Sequence, residues 1–271
     1  MRKFTYILAV GALVLMGTSC RQLKSRDQVN QGVQAFKSAQ YPQAVEHFKQ
    51  AVDLDPGFVA ARVYLGTAYY QQYIPGAVSP ENDQMAAAAY DQFQKVLEQD
   101  PKNIVAIASI ANLYLNQKKW DEAQQWFEKE LAVDPKNADA HYSLGFVAWS
   151  KWYPADGAAR AESGMKLDDP GPIKDKKLRE ELRAKYGPVI ENGLEHLNKC
   201  LEINPEYDDA MAYENLLIRE RADLDDTKPA YEADIKTADG WMQKALDTKK
   251  LKEEKKSKQS GGGIVADPNA K

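Results

Sequence analysis

The sequence predicts an all-α chain of antiparallel helix pairs, and three observations lead there. Four segments end alike: Ala51-Val-Asp-Leu-Asp-Pro56, Val96-Leu-Glu-Gln-Asp-Pro101, Glu130-Leu-Ala-Val-Asp-Pro135 and Cys200-Leu-Glu-Ile-Asn-Pro205. Their terminal prolines stand 45, 34 and 70 residues apart, and 70 is close to twice 35. Every periodic apolar stretch repeats near the helical spacing, and no alternating run is long enough for a strand. The composition, 44% hydrophobic and 28% charged, belongs to a folded globular chain and not to a disordered one.

The elements follow in order. The first pair runs from Asp27 to Pro56, with helix A to Ala39 and helix B opening at Pro42, a favourable first helical residue. The second, Val59 to Pro101, carries eleven extra residues around Tyr73 to Asp83, where Pro75, Gly76 and Pro80 predict a loop. The third spans Ile104 to Pro135. The fourth opens at Ala138, with His141 to Ala148 in its helix A. Residues 152–188 have two readings. One is a 36-residue insertion within the fourth unit. The other, which we favour because it keeps a 35-residue spacing, is a degenerate pair: Ala158 to Leu167 as helix B, then Lys174 to Lys185 as helix A. Gly187-Pro188 would then turn the chain into Val189–Ile203. The last unit pairs Asp208–Leu224 with Lys228–Lys250. A polar run, Lys249 to Lys258, follows as the solvated end that a terminal repeat requires, and Ser260 to Gly263 releases the chain.

Inside this period, small residues recur at two places. Counting each terminal proline as position 32, position 8 is Gly32, Gly66, Ala111 and Gly145, and position 20 is Ala44, Ala89, Ala123 and Gly193. Position 24 is Phe48, Phe93, Phe127 and Leu197. Small side chains at 8 and 20 let two helices cross closely, and the large one at 24 fills the space beside them. With the 34-residue period, this pattern resembles the tetratricopeptide repeat (TPR) family. The resemblance covers most of residues 27–247 and is strongest at 27–56 and 104–135. It implies a right-handed superhelical solenoid of about five to six units, at about 27–58, 59–103, 104–137, 138–170, 171–207 and 208–250. A flexible charged and Gly-rich tail would occupy 251–271. Cys200 falls at position 27, usually Ala, and reads as a small packed side chain and not a nucleophile.

The N-terminus reads as an address. Arg2 and Lys3 precede an apolar run from Phe4 to Met16, and Gly17-Thr18-Ser19-Cys20 follows. Thirteen helical residues rise about 20 Å, short of a hydrocarbon core of about 30 Å, so residues 1–19 are expected as a signal segment and not a membrane span. The cysteine after small residues resembles a bacterial lipobox, although Gly17 stands where Leu is usual. The resemblance implies lipidation at Cys20, a short anchor linker at 20–26, and an outer-membrane lipoprotein facing the periplasm. Plain secretion as a periplasmic or exported soluble protein is the alternative.

Composition also excludes functions. A net charge of −4 gives no global reason to bind nucleic acid, and two cysteines with three widely separated histidines, His47, His141 and His196, form no local metal motif. There is no phosphate loop and no nucleophile motif. No cofactor, metal or catalytic residue is expected. The paired acids Asp168-Asp169 and Asp225-Asp226 read as caps or turns.

Function then rests on the concave face that TPR arrays present from helix A. The residues expected there are Phe36, Tyr64, Tyr70, Asn112, Tyr142, Phe146 and Trp149. The face lacks the cations that would hold an acidic carboxylate, so its expected partner is a protein or peptide segment with apolar anchors. The alternative for any one of these aromatics is packing against the next repeat. Two functions are carried forward. One is a membrane-anchored interaction scaffold in envelope or secretion and pilus assembly. The other is a soluble exported binding protein, or accessory subunit of a cell-envelope enzyme, with a ligand site near Trp149–Pro188.

Overall fold

The computed structural model describes residues 2–166 and 168–260, with side chains described at 20–166 and 168–258. The side chains of the expected signal segment at 1–19, Leu167, and the Gly-rich end at 261–271 lie outside the described residues. Among the described residues the chain is helical throughout, with turns and no strand. It divides into two compact units, Met1–Val133 and Asp134–Lys271.

The first unit holds six helices: α1 (Arg2–Lys37), α2 (Tyr41–Leu54), α3 (Val59–Tyr70), α4 (Pro80–Gln99), α5 (Ile104–Asn116) and α6 (Trp120–Val133). They pack as the pairs α1/α2, α3/α4 and α5/α6, with α2 against α3 and α4 against α5. The small-and-large pattern is the reason. A Cβ built on Gly32 would stand 2.5 Å from a ring carbon of Phe48, so the ring occupies the space that glycine leaves. Ala44, Ala89 and Ala123 have no exposed surface, and neither do Phe48 and Phe93. Each such aromatic, fully buried, would cost about 3–5 kcal/mol on truncation to Ala. Two A-to-B turns share one geometry. Ala39 and Lys118 both have φ +56, the Gln40 N–H donates to Ala35 O at 2.9 Å, and the Lys119 N–H donates to Tyr114 O at 3.0 Å. This is the Schellman closure of a helix C-terminus.

Two expectations for this unit are corrected. Residues 20–26 are not a linker, because α1 runs unbroken through them and packs on α2. The buried Ser25 hydroxyl donates to Ala51 O at 2.8 Å, and Arg21 reaches Asp53 O at 3.2 Å. No Gly or Pro interrupts 20–31, so the helix has a partner and nothing to stop it. The loop expected to Asp83 ends at Ser79, which caps α4 by accepting the Asn82 N–H. Asn82 itself ties the loop down, accepting from Ile74 N at 2.7 Å and donating to Ile74 O and Ala77 O, both at 2.9 Å.

The second unit holds α7 (Ala138–Glu162), α8 (Lys176–Ile203), α9 (Asp208–Ala222) and α10 (Lys228–Ser260). The α7/α8 and α9/α10 pairs pack internally, α8 lies against α9, and α7 touches α9. The degenerate pair expected at 138–207 is absent. Its two units are one long pair, because α7 continues through Pro154 and α8 through Pro188. Gly187 has no Cβ to meet the Pro188 ring, which removes much of the usual obstacle to helix before proline. The lost hydrogen bonds are offset by a shared core. Trp152, Ile173, Ile190 and Leu197 have no exposed surface, and Trp152 meets the Tyr186 ring at 5.0 Å. The tail is also corrected: 251–260 extend α10, with Lys252 on Asp208 and Lys255 on Glu206 at 2.7 Å.

Candidate functional site

In the first unit the expected groove residues do not converge. Phe36 packs edge-on to Tyr41 at 5.2 Å, while Tyr64 stacks on Phe48 at 5.4 Å and leaves 43% of its surface exposed. The Tyr70 hydroxyl accepts from Asn116 Nδ2 at 2.7 Å. Asn112 turns back on its own helix, donating to Ala108 O at 2.9 Å. These are separate contacts along three helices.

In the second unit they do converge. Tyr142, Phe146 and Trp149 lie on successive turns of α7, at the i, i+4 and i+7 spacing that puts them on one face. Tyr213 from α9 sits among them, with ring centroids 5.7 Å from Tyr142, 5.3 Å from Phe146 and 5.4 Å from Trp149. Tyr207 stacks on Tyr142 at 5.0 Å, and Tyr153 stacks on Trp149 at 4.9 Å. All but Tyr153 are half-buried, and Tyr153 is 44% exposed. The rings thus pack between α7 and α9 and still keep part of their surface exposed. Burial pushes the Tyr142, Tyr207 and Tyr213 hydroxyls above the usual phenol range, so they stay neutral donors. Tyr153, Tyr207 and Tyr213 were not expected here. Tyr153 continues the α7 spacing one turn past Trp149 and was legible in that spacing, whereas Tyr207 at the start of α9 and Tyr213 within it come from another helix.

Trp149 has a polar partner as well. Its indole N–H donates to Glu220 Oε1 of α9 at 2.8 Å. Burial pushes the Glu220 carboxyl up to about 8, against the opposing pull of that N–H.

Other candidates resolve plainly. Cys200 has no exposed surface, and burial, with the Asp139 charge adding, pushes its thiol up to about 12, which fits a packed side chain. Cys20 is exposed. His141 and His196, 55 positions apart, meet Nδ1 to Nδ1 at 2.9 Å, a contact the sequence spacing did not suggest. Among the described residues no group of three His, Cys, Asp or Glu is placed to hold a metal ion, and no helix is long and apolar enough to cross a membrane.

Paired helices closed by a small-residue crossing, repeating along the chain, define a helix-hairpin repeat protein. Tetratricopeptide repeat family models match residues 29–104 and 83–145. Tetratricopeptide repeats thus occupy residues 29–145. The chain's fold is similar to a crystal structure of MamA protein, at 14% identity and TM-score 0.56, covering 90% of this chain and 98% of that one. A MamA from Desulfovibrio magneticus RS-1, residues 41 to the end, matches at 16% identity and TM-score 0.55 over 84% of this chain and 96% of that one. YrrB, described as a TPR protein with an unusual peptide-binding site, matches at 13% and 0.51 over 82% and 90%. No curated protein matches the sequence significantly.

Proposed function

We propose that this chain is a non-enzymatic protein-interaction scaffold whose α7/α9 aromatic face receives an apolar-anchored segment of another protein. The observation that carries the reading is the cluster of Tyr142, Phe146, Trp149, Tyr153, Tyr207 and Tyr213, joined by ring contacts and still partly exposed. Tyr and Trp offer large rigid contact area at little entropic cost, and they dominate interface energetics. The peptide-binding site named for YrrB supports the class of function without assigning this face. The same proposal puts the scaffold at the cell envelope, carried by lipid on Cys20 and facing the periplasm, with the lipobox-like Gly17-Thr18-Ser19-Cys20 as its support.

A photo-crosslinking phenylalanine at Tyr153, compared with one at Lys199 on the helix B side, tests the face. Protein adducts from position 153 and none from 199 are expected, and equal yields would overturn it. Palmitate labelling of Cys20 separates the anchored form from the soluble exported one.

A further inference from the structure

We propose that the cavity between α7, α9 and α10 of the second unit receives an arginine side chain of the bound segment. The cavity has a volume of about 440 Å³, within the range of built ligand sites. Five acids line it: Asp168 and Asp169 from the segment after α7, and Asp156, Glu220 and Asp223, which are only 4%, 8% and 5% exposed. One buried cation stands against them. Arg160 turns its fork on Asp223, with Nε at 3.2 Å from Oδ2 and Nη2 on Oδ1, and pairs with Asp156 Oδ2 at 3.3 Å. Its Nη1 is taken by Asp169 O at 3.0 Å. Arg219, which also lines the cavity, is paired to Asp239.

Two acceptors are then left over. Asp156 Oδ1 and Glu220 Oε2 are buried and have no hydrogen-bond donor. An orphaned buried carboxylate oxygen is costly, and the three buried acids outnumber the one buried guanidinium by two when ionised, with Asp168 and Asp169 adding to the excess. Burial pushes all three carboxyls up, Glu220 to about 8 and Asp223 to about 7, with a side-chain hydrogen bond between Asp156 and Asp223. A guanidinium fits better than a compact metal ion. It brings five donors in a plane, enough for acceptors on two different residues, and Tyr153 and Tyr231 on the lining offer ring faces for it. The cavity also continues the aromatic face. Tyr153 belongs to both, and Trp149 holds the other oxygen of Glu220. An arginine flanked by apolar anchors would therefore fill both at once.

The inference rests on the binding role of that face, but its test does not need the partner. Acetyl-arginine amide and acetyl-citrulline amide, nearly isosteric but charged and neutral, are titrated into the full chain by calorimetry. The arginine amide should bind at least about tenfold more tightly. Glu220→Gln and Asp156→Asn should each weaken it about tenfold with helicity retained by circular dichroism. Equal binding of the two amides, binding of neither, or an unaltered affinity in Glu220→Gln overturns the inference. So does full displacement by calcium, which would mark a general acidic patch. If crosslinking from Tyr153 persists in any of those cases, only the cavity assignment falls and the aromatic face stands.

Discussion

Trp149 and Glu220, 71 positions apart, share a 2.8 Å hydrogen bond that joins an aromatic face to an acidic cavity. The indole N–H satisfies one carboxyl oxygen, and the other is buried without a donor in a residue that lines the cavity. The bond also means that Trp149 is part of the packing of α7 on α9. Truncating Trp149 would cost stability as well as contact area, so Tyr153 is the cleaner probe of the face.

The first prediction is a pH dependence. Glu220 and Asp223 are raised to about 8 and about 7, with Asp156 and Arg160 facing them from α7 and Tyr231 from α10, and Glu214 is raised to about 7. A raised carboxyl means that the folded chain holds protons the unfolded chain has released above about pH 4. Stability from this source is therefore greatest in acid, falls as pH rises towards about 8, and is level above that. Glu220→Gln still accepts from Trp149 but cannot ionise. Its melting temperature should fall less between about pH 5 and pH 9 than the wild type's. Identical slopes would remove Glu220 as a source.

The second concerns close approach. A Cβ on Gly193 would stand 2.5 Å from the Ala148 Cβ, which cannot swing aside. Gly193→Ala should cost roughly 1–3 kcal/mol in denaturant unfolding. Gly240 in α10 has nothing within 4 Å of its position, and Gly240→Ala should gain roughly 0.5–1 kcal/mol. If both variants shift in the same direction, the helix crossing is misplaced.

The third uses the two left-handed turns. Ala39 and Lys118, both at φ +56, bear a conformation that glycine adopts freely. Ala39→Gly and Lys118→Gly should each leave stability unchanged or raise it by up to about 1 kcal/mol, after the unfolded chain's added freedom is counted. A loss above about 1 kcal/mol in a thermal melt would contradict the turn geometry.

The fourth concerns location. Cys20→Ser should abolish palmitate incorporation and move the protein from the membrane fraction to the soluble one. It also leaves Cys200 as the single thiol. Its burial predicts no reaction with Ellman's reagent until the second unit unfolds.

Much of the fold was legible in the residues themselves. The 34-residue spacing of Pro101 and Pro135 and the glycines opposite Phe48 and Phe93 are local devices. Each acts over one turn or one hairpin, so its effect can be read from neighbours in sequence. Proline misled for the same reason. Pro188 signals a break locally, but whether a helix breaks depends on what it can bury, and Trp152, Ile173 and Ile190 lie scattered over 39 positions.

The site divides in the same way. Helical spacing alone puts Tyr142, Phe146 and Trp149 on one face of α7, as the TPR resemblance also implies. Tyr213 among them, His141 on His196, and the meeting of Asp156, Glu220 and Asp223 were decided only by how α7, α8, α9 and α10 pack. Helical spacing places a residue on a face of its own helix and says nothing of the facing helix. Burial pushes Glu220 up, with the Asp156 and Asp223 charges adding, and both causes exist only once packing removes water and brings acids 64 and 67 positions from Asp156 into one cavity.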